Sequence, residues 1–215
     1  HGMGYAVAIA AGDHRDVLAT ANAQGLVGTI AFGGGLGSTV LAVGLASTFE
    51  AGKDPVADSA VALVAGLNAT TLNDLRDRHS AWWRDFWGKS AIQYGHEELE
   101  RLWYAGLYAM GSSTRPQSSP PNLQGLWVQD EISPWHTDFH FNTNIQQCQW
   151  GACGSNHPEL QEALLRLLTE EWSEELKRAG REVYGVDAPA LNLATDWLGR
   201  AISSWGFLEL SVTAW

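Results

Sequence analysis

The residues best suited to chemistry lie close together between Pro120 and Asn144. Two blocks stand out, Pro120-Pro-Asn-Leu-Gln-Gly-Leu-Trp127 and Ser133-Pro-Trp-His-Thr-Asp-Phe-His-Phe-Asn-Thr-Asn144. Indole rings stack on the faces of pyranose rings, and amide and imidazole groups bind hydroxyls. Proline fixes the backbone, and therefore the direction in which such groups point. The segment indicates a carbohydrate-handling protein.

Single residues in these blocks allow more than one interpretation. Trp127 and Trp135 can stack on a sugar, or can form the small core of the loop itself. The spacing His136-x-Asp138-x-His140 also occurs in zinc sites. Cys148 and Cys153 have no second Cys or His pair at zinc spacing, and they are typical of buried free thiols.

Composition limits the choice of partners. The chain has 215 residues, of which 45% are hydrophobic, so it can bury a real core. A formal net charge of -11 with 13 Lys and Arg argues against nucleic acid or an anionic membrane as partner. Eleven Trp residues exceed what packing requires, which favours a ligand-facing role for some of them.

Two kinds of local pattern divide the chain. Glycine-rich, β-prone segments at Tyr5–Ala10, Gly25–Phe32 and Ser38–Phe49 predict strands, with Gly33–Gly37 as a turn. From Asp54 onward the apolar period is helical, and Pro55 is expected at the first helical position. The predicted helices are Asp54–Leu67, Thr71–Trp87, Glu97–Ser113, Asn144–Ala152 and Pro158–Ala179, and a helical pattern also covers Trp205–Trp215. Consecutive helices with functional loops favour an α/α toroid.

Several motifs together resemble glycoside hydrolase family 95, which holds α-L-fucosidases and some α-L-galactosidases. The resemblance rests on a helix with Arg76-Asp-Arg-His79 and on four later motifs. These are Gly111-Ser-Ser-Thr-Arg-Pro116, Pro121-Asn-Leu-Gln-Gly-Leu-Trp127, His140-Phe-Asn-Thr-Asn144 and Trp150. It covers nearly the whole chain, and the combination of the Asn-Leu-Gln-Gly-Leu-Trp and His-x-Asn-x-Asn blocks is specific.

The resemblance implies an α+β multidomain fragment. Residues 1–52 are expected to be the C-terminal part of an N-terminal β-sandwich, 53–95 a helical linker, and 96–215 the first part of an (α/α)6 six-hairpin barrel. The family needs no cofactor or metal. Its substrates are oligosaccharides or polysaccharides, and a secreted or periplasmic location is expected.

The resemblance also implies hydrolysis with inversion at the anomeric carbon, by a carboxylic acid and a carboxylate. Both are expected beyond Trp215. Within the chain, Asn142 and Asn144 are expected to hold the attacking water and assist the base, and His140 to touch the sugar. From the residues alone, Asn142 and Asn144 could equally cap the following helix.

Two departures from the family concern the identity of the sugar. Typical fucosidases continue with Gln-Met-Asn-Tyr-Trp-Pro, whereas this chain reads Ile145-Gln-Gln-Cys-Gln-Trp150. A family His-His-Asn-Thr-Asp pattern is replaced by Asn192-Leu-Ala-Thr-Asp196. Asp196 could bind a sugar hydroxyl or cap a helix.

Two function classes are therefore compatible with the sequence. The first is an inverting exo-hydrolase of terminal α-L-fucosyl or α-L-galactosyl residues. The second is a carbohydrate-binding six-hairpin module that lacks the acid and base carboxylates.

Overall fold

The division between strand-rich and helical sequence is retained in the structure. A computed structural model describes residues 5–11, 16–22, 25–31, 41–48, 55–65, 67–93, 95–126, 128 and 133–202. These residues form a mixed α and β structure that is mostly helical, and they group into two compact units, His1–Trp83 and Arg84–Trp215. The predicted Gly33–Gly37 turn and the Trp205–Trp215 pattern lie outside the described residues.

The first unit contains two antiparallel strand pairs. Strand β1 (Tyr5–Ala11) pairs with β4 (Leu41–Ser47), and β2 (Asp16–Asn22) pairs with β3 (Gly25–Ala31). The three predicted strands are confirmed with small changes of bounds. Strand β2 was not predicted, because its small and polar residues have low intrinsic strand preference and its partner supplies the pairing.

Helix α1 (Val56–Val64) packs against β1 and β4. A side chain at Gly44 would come within 2.6 Å of the carbonyl oxygen of Ala60, so glycine allows this close approach. Pro55 lies just before the helix, one position earlier than predicted. The opposite face of the pair is apolar and about half exposed, through Val7, Ile9, Leu41, Val43 and Leu45.

Two longer helices follow. Helix α2 (Ala69–Trp87) begins where the side-chain oxygen of Asn68 accepts the backbone N–H groups of Thr70 and Thr71, at 3.0 and 3.1 Å. The helix start is thus set by an asparagine cap. Helix α3 (Glu97–Ser113) has the predicted bounds.

The prediction of one continuous helix over Pro158–Ala179 is wrong. After α4 (Asn144–Gly154), the chain forms a turn at Pro158–Gln161, then α5 (Glu162–Arg166), a wide turn at Leu167–Glu171 and α6 (Ser173–Tyr184). The N–H of Trp172 donates to the carbonyl of Leu167, five residues back, at 2.8 Å. This extra residue per turn keeps the side chains of Leu167 and Trp172 on the buried face. For that reason the apolar period did not reveal the interruption.

The core of the second unit surrounds Trp172. The ring meets Phe139 and Phe141 edge to face, with centroids 5.2 and 6.2 Å away. Its N–H donates to the carbonyl of Trp197 at 3.2 Å. The other buried members of this cluster are Ile145, Leu164, Leu167, Leu176 and Leu191.

The buried side chain of His157 joins other helices of this unit. The His157 ring is fully buried and stacks on Phe86, and its Nδ1 lies 3.0 Å from an oxygen of Glu159. Lys89 binds the same carboxylate at 2.6 Å. Burial alone raises the pKa of Glu159, but the hydrogen bonds from Lys89 and His157 outweigh it, so this pKa lies below its usual range.

The two cysteines are free thiols, as predicted, but the prediction that they are buried is wrong. Cys148 and Cys153 both lie on the exposed side of α4, because Ile145, Gln149 and Ala152 form its buried side. The prediction of burial rested on the usual behaviour of free cysteine and not on the face that this helix buries.

We expect Gly180→Ala to destabilise the second unit. The new Cβ would lie 1.8 Å from the carbonyl oxygen of Ala188, so the backbone after α6 must move, at a cost of about 1–3 kcal/mol. Gly106→Ala in α3 is the matched control, since nothing lies within 4 Å of its Cβ and it should stabilise by up to ~1 kcal/mol. Denaturant unfolding measures both, and equal effects of the two changes would contradict the assigned packing.

Candidate functional site

Two short strands position the histidine of the His-x-Asn-x-Asn block. Strand β5 (Phe139–His140) pairs antiparallel with β6 (Ala194–Thr195), and the N–H of Phe141 donates to the carbonyl of Leu193 at 2.7 Å. Because side chains alternate along a strand, the buried Phe139 and Phe141 direct His140 to the other face.

On that other face lies a cavity of about 330 Å³. One wall is polar and aromatic and comes from the second block, while the other is apolar and comes from β6 and the residues around it. The lining residues are Trp135, His136, Asp138, His140, Leu193, Ala194 and Ile202. The site therefore combines hydrogen-bonding groups with an apolar surface.

The polar wall contains a paired carboxylate and imidazole. Asp138 Oδ1 lies 2.9 Å from His140 Nδ1, and the two side chains are 7% and 13% exposed. The backbone of Asp138 is also held, because its carbonyl accepts the N–H of Leu123 at 3.0 Å. Together with the bond from Gln124 Nε2 to the carbonyl of Pro134 at 3.0 Å, this contact joins the two blocks.

Trp135 stands at the rim of the cavity. It is 67% exposed, and its ring centroid lies 5.5 Å from that of His140 with an interplanar angle of 63°. Trp135, His136 and Thr137 all have left-handed backbone, with φ values of 59°, 56° and 56°. This conformation is costly for residues with a side chain, and it is concentrated at functional sites. An exposed indole held in this way is suited to stacking on a sugar.

The two asparagines lie beside this cavity in sequence but are not among its lining residues. Asn142 is exposed in the turn before α4, and Asn144 is the half-buried first residue of that helix. Thr143 occupies the N-cap position and its side chain makes no capping bond. Within the described part of the chain, neither amide side chain hydrogen bonds to protein, so both remain available to water or substrate.

Asp196 is committed to a local turn. Its Oδ1 accepts the N–H groups of Leu198 and Arg200, both at 2.9 Å, and its Oδ2 pairs with the Arg200 guanidinium at 2.7 Å. The sequence left open a sugar contact or a helix cap, and in the described residues the structure shows neither a helix after Asp196 nor a free side chain, but a cap on this turn. Asp196 is not among the residues that line the cavity.

Two other candidates came from the sequence, Trp127 and a metal site at His136, Asp138 and His140. Trp127 lies outside the described residues. In the described ranges no group of three or more His, Cys, Asp or Glu is arranged to hold a metal ion, so His136, Asp138 and His140 do not form such a cluster. The apolar wall was missed, since the pairing of β5 with residues far along the chain has no signal in a single sequence.

The family model of the glycosyl hydrolase family 95 catalytic domain matches residues 84–215. The chain belongs to glycoside hydrolase family 95. The matched region begins where the second compact unit begins, and it contains the whole cavity. The predicted family is therefore confirmed.

Curated relatives of the family 95 chain carry fucosidase names. It is 36% identical over 97 residues to "Probable alpha-fucosidase A" of Aspergillus niger, covering 45% of this chain and 12% of the relative. The Aspergillus oryzae protein of the same name is 34% identical over 92 residues, covering 42% and 13%. "Alpha-L-fucosidase 2" of Arabidopsis thaliana is 39% identical over 66 residues, covering 31% and 8%. The chain thus spans about an eighth of the fungal relatives.

No helix in the described ranges is both long and apolar enough to cross a lipid bilayer.

We expect Asp196→Ala to act on stability more than on catalysis. It removes the acceptor of two backbone N–H groups and the partner of Arg200, which together should lower the free energy of unfolding by about 1–2 kcal/mol. Thermal unfolding and steady-state kinetics on the same preparation measure the two effects. A large loss of turnover with an unchanged melting temperature would instead assign Asp196 to substrate.

Proposed function

We propose that this chain forms the sugar- and water-positioning part of an inverting exo-glycoside hydrolase that removes terminal α-L-fucosyl residues from oligosaccharides or polysaccharides. One observation carries the proposal: the region that matches the family 95 catalytic domain contains the cavity between Trp135, the Asp138–His140 pair and β6. The fucosidase names of the curated relatives support the sugar class.

The proposed reaction is a single displacement by water. A carboxylate takes a proton from water, the water oxygen forms a bond to the anomeric carbon, and the bond from that carbon to the leaving oxygen breaks. A carboxylic acid protonates the leaving oxygen, so charge balances. We assign this acid and base to residues C-terminal to Trp215, as the family pattern implies.

In this scheme Asn142 and Asn144 hold the attacking water. A side-chain amide oxygen accepts a hydrogen bond from water and orients its lone pair without adding a charge. The absence of protein partners for both amides in the described residues supports this role, as does the uncapped N-terminus of α4. His140 contacts the sugar, and Trp135 stacks on one of its faces.

The apolar wall supports a 6-deoxy sugar. L-Fucose carries a methyl group at the position where L-galactose carries a hydroxymethyl group. Leu193, Ala194 and Ile202 offer apolar surface, and a hydroxyl placed against them would lose water without gaining a partner. We therefore propose a fucosyl rather than a galactosyl substrate.

We further propose the domain arrangement that the family resemblance implies: the end of a β-sandwich at 1–52, a helical linker at 53–95 and the start of an (α/α)6 barrel at 96–215. The half-exposed apolar face of the β1 and β4 pair supports a sandwich, since an aliphatic sheet face is normally covered by a second sheet.

A second function, a carbohydrate-binding module without hydrolytic activity, is favoured by one observation. Among the described lining residues, Asp138 is the single carboxylate, and it is already paired with His140. An inverting mechanism needs two carboxyl groups about 6.5–9.5 Å apart. The two functions differ in whether the protein hydrolyses the glycosidic bond of the sugar that it binds.

The test of the reaction is an assay on the purified full-length protein with 2'-fucosyllactose and an aryl α-L-fucoside. We expect release of L-fucose, and early proton NMR spectra should show the β anomer before mutarotation. Initial α anomer would contradict inversion. Binding of the sugar without its release would favour the binding module.

The same assay tests the sugar preference. We expect the aryl α-L-fucoside to exceed the aryl α-L-galactoside in kcat/KM by up to roughly 100-fold, the range within which an apolar pocket discriminates against an added hydroxyl. A preference for the galactoside would contradict the assignment of the apolar wall.

We expect Asn144→Ala to reduce kcat by at least roughly 100-fold if it removes a water-positioning group, with little change in melting temperature. Gln147→Ala, at an exposed position on the same helix, is the control and should change neither quantity. A helix cap would behave in the opposite way, since its loss lowers stability by about 1 kcal/mol and leaves turnover intact.

A further inference from the structure

We propose that Asp138 is a positioning residue, which holds a proton on Nδ1 of His140 and so turns Nε2 towards the sugar. This inference rests on the proposed function, and it adds a residue to which neither the family resemblance nor the relatives assign a role.

The geometry fixes Asp138 from several sides. Its side chain is 7% exposed and its Oδ1 lies 2.9 Å from His140 Nδ1. Its N–H donates to the carbonyl of Trp135 at 3.3 Å, and its carbonyl accepts the N–H of Leu123 at 3.0 Å. The backbone of Asp138 is therefore held on both sides before any ligand binds, and its carboxylate is held by the bond to His140.

The partner ring is also constrained. His140 lies on β5 between Phe139 and Phe141, which are both buried against Trp172, so the strand cannot shift by one residue without exposing them. The direction of the His140 side chain is thus set by the core, and the rotation of its ring is set by Asp138.

The position of the His140 proton follows from which groups can donate a hydrogen bond and which can accept one. An ionised carboxylate only accepts hydrogen bonds, so the nitrogen facing it must carry the proton. Which nitrogen of a histidine is protonated depends on the bond that the other nitrogen makes. With Nδ1 occupied, Nε2 is the ring nitrogen left for a ligand, and in the described residues it has no protein partner. A neutral His140 would then accept a hydrogen bond from a sugar hydroxyl.

The proposed role of Asp138 differs from that of a catalytic carboxylate. Within the described residues, the side chain of Asp138 hydrogen bonds to the His140 ring. Asp138 therefore acts on the sugar only through His140. Removing Asp138 should therefore have no effect in a protein that already lacks the imidazole. A residue that acts independently would instead produce an additional loss.

The experiment is a double-mutant cycle on the purified full-length protein, with Asp138→Ala, His140→Ala and the double variant. We expect Asp138→Ala to lower kcat/KM for the aryl α-L-fucoside by roughly 10- to 100-fold, as for loss of a hydrogen bond to a charged group. The double variant should match His140→Ala within about twofold. Losses that multiply in the double variant would overturn the proposal.

Asp187→Ala is the matched control. Asp187 is an exposed carboxylate paired with Arg181, and it does not line the cavity, so its removal should leave kcat/KM unchanged. If Asp138→Ala does not fold, Asp138→Asn replaces it in the cycle, because the amide keeps the shape of the side chain and removes its charge.

Nitrogen-15 NMR of labelled histidine provides a second readout that does not depend on turnover. We expect the His140 proton on Nδ1 in the unmodified protein, and a shift of the proton towards Nε2 in Asp138→Ala. A proton on Nε2 in the unmodified protein would overturn the proposal. If the protein binds L-fucose without hydrolysing it, the proposed function fails, and the same cycle on Kd for L-fucose decides the role of Asp138.

Discussion

The packing around Trp172 is the interaction on which the rest of the site depends. The indole contacts Phe139 of β5 and Phe141 directly after it, binds the carbonyl of Trp197 beyond β6, and closes against Gly199, where a Cβ would lie 2.8 Å from the ring. One side chain from the helical region therefore anchors β5 and the segment that follows β6. Burial of such an indole contributes about 1.5–3 kcal/mol or more, and its N–H is satisfied as well.

Phe139 and Phe141 connect this core to the chemistry. They lie on either side of His140 in the chain, so the same contacts that bury the phenylalanines present the imidazole to the cavity. The sequence Phe-His-Phe thus determines local structure and is also part of a motif. The core and the cavity wall therefore take alternate residues of one short segment.

Local patterns were sufficient to predict several elements. Helix α3 has its predicted bounds, and α2 and α4 differ from prediction by two residues at one end. Their apolar period and end signals act over a few residues, so one sequence contains the necessary information. The break at Leu167–Glu171 escaped detection because a wide turn preserves the apolar face.

The candidate site was predictable in part for a similar reason. Trp135 and His140 belong to one short segment, and their residue types alone indicate sugar binding. The spacing of Asp138 suggested only a metal ligand, because its bond to His140 depends on backbone geometry. Leu193, Ala194 and Ile202 reach the cavity through long-range strand pairing, for which a single sequence gives no signal.

The left-handed run at Trp135, His136 and Thr137 has a consequence for how the site forms. Each such residue costs about 1–3 kcal/mol unless its surroundings enforce the conformation. None of the residues in the turn Pro134–Thr137 is buried, so this backbone is held by hydrogen bonds such as that from Gln124 to Pro134 rather than by burial. Segments with few buried contacts open locally at a lower free energy than the core does. The proposed sugar platform is therefore expected to open while the packing around Trp172 is still intact.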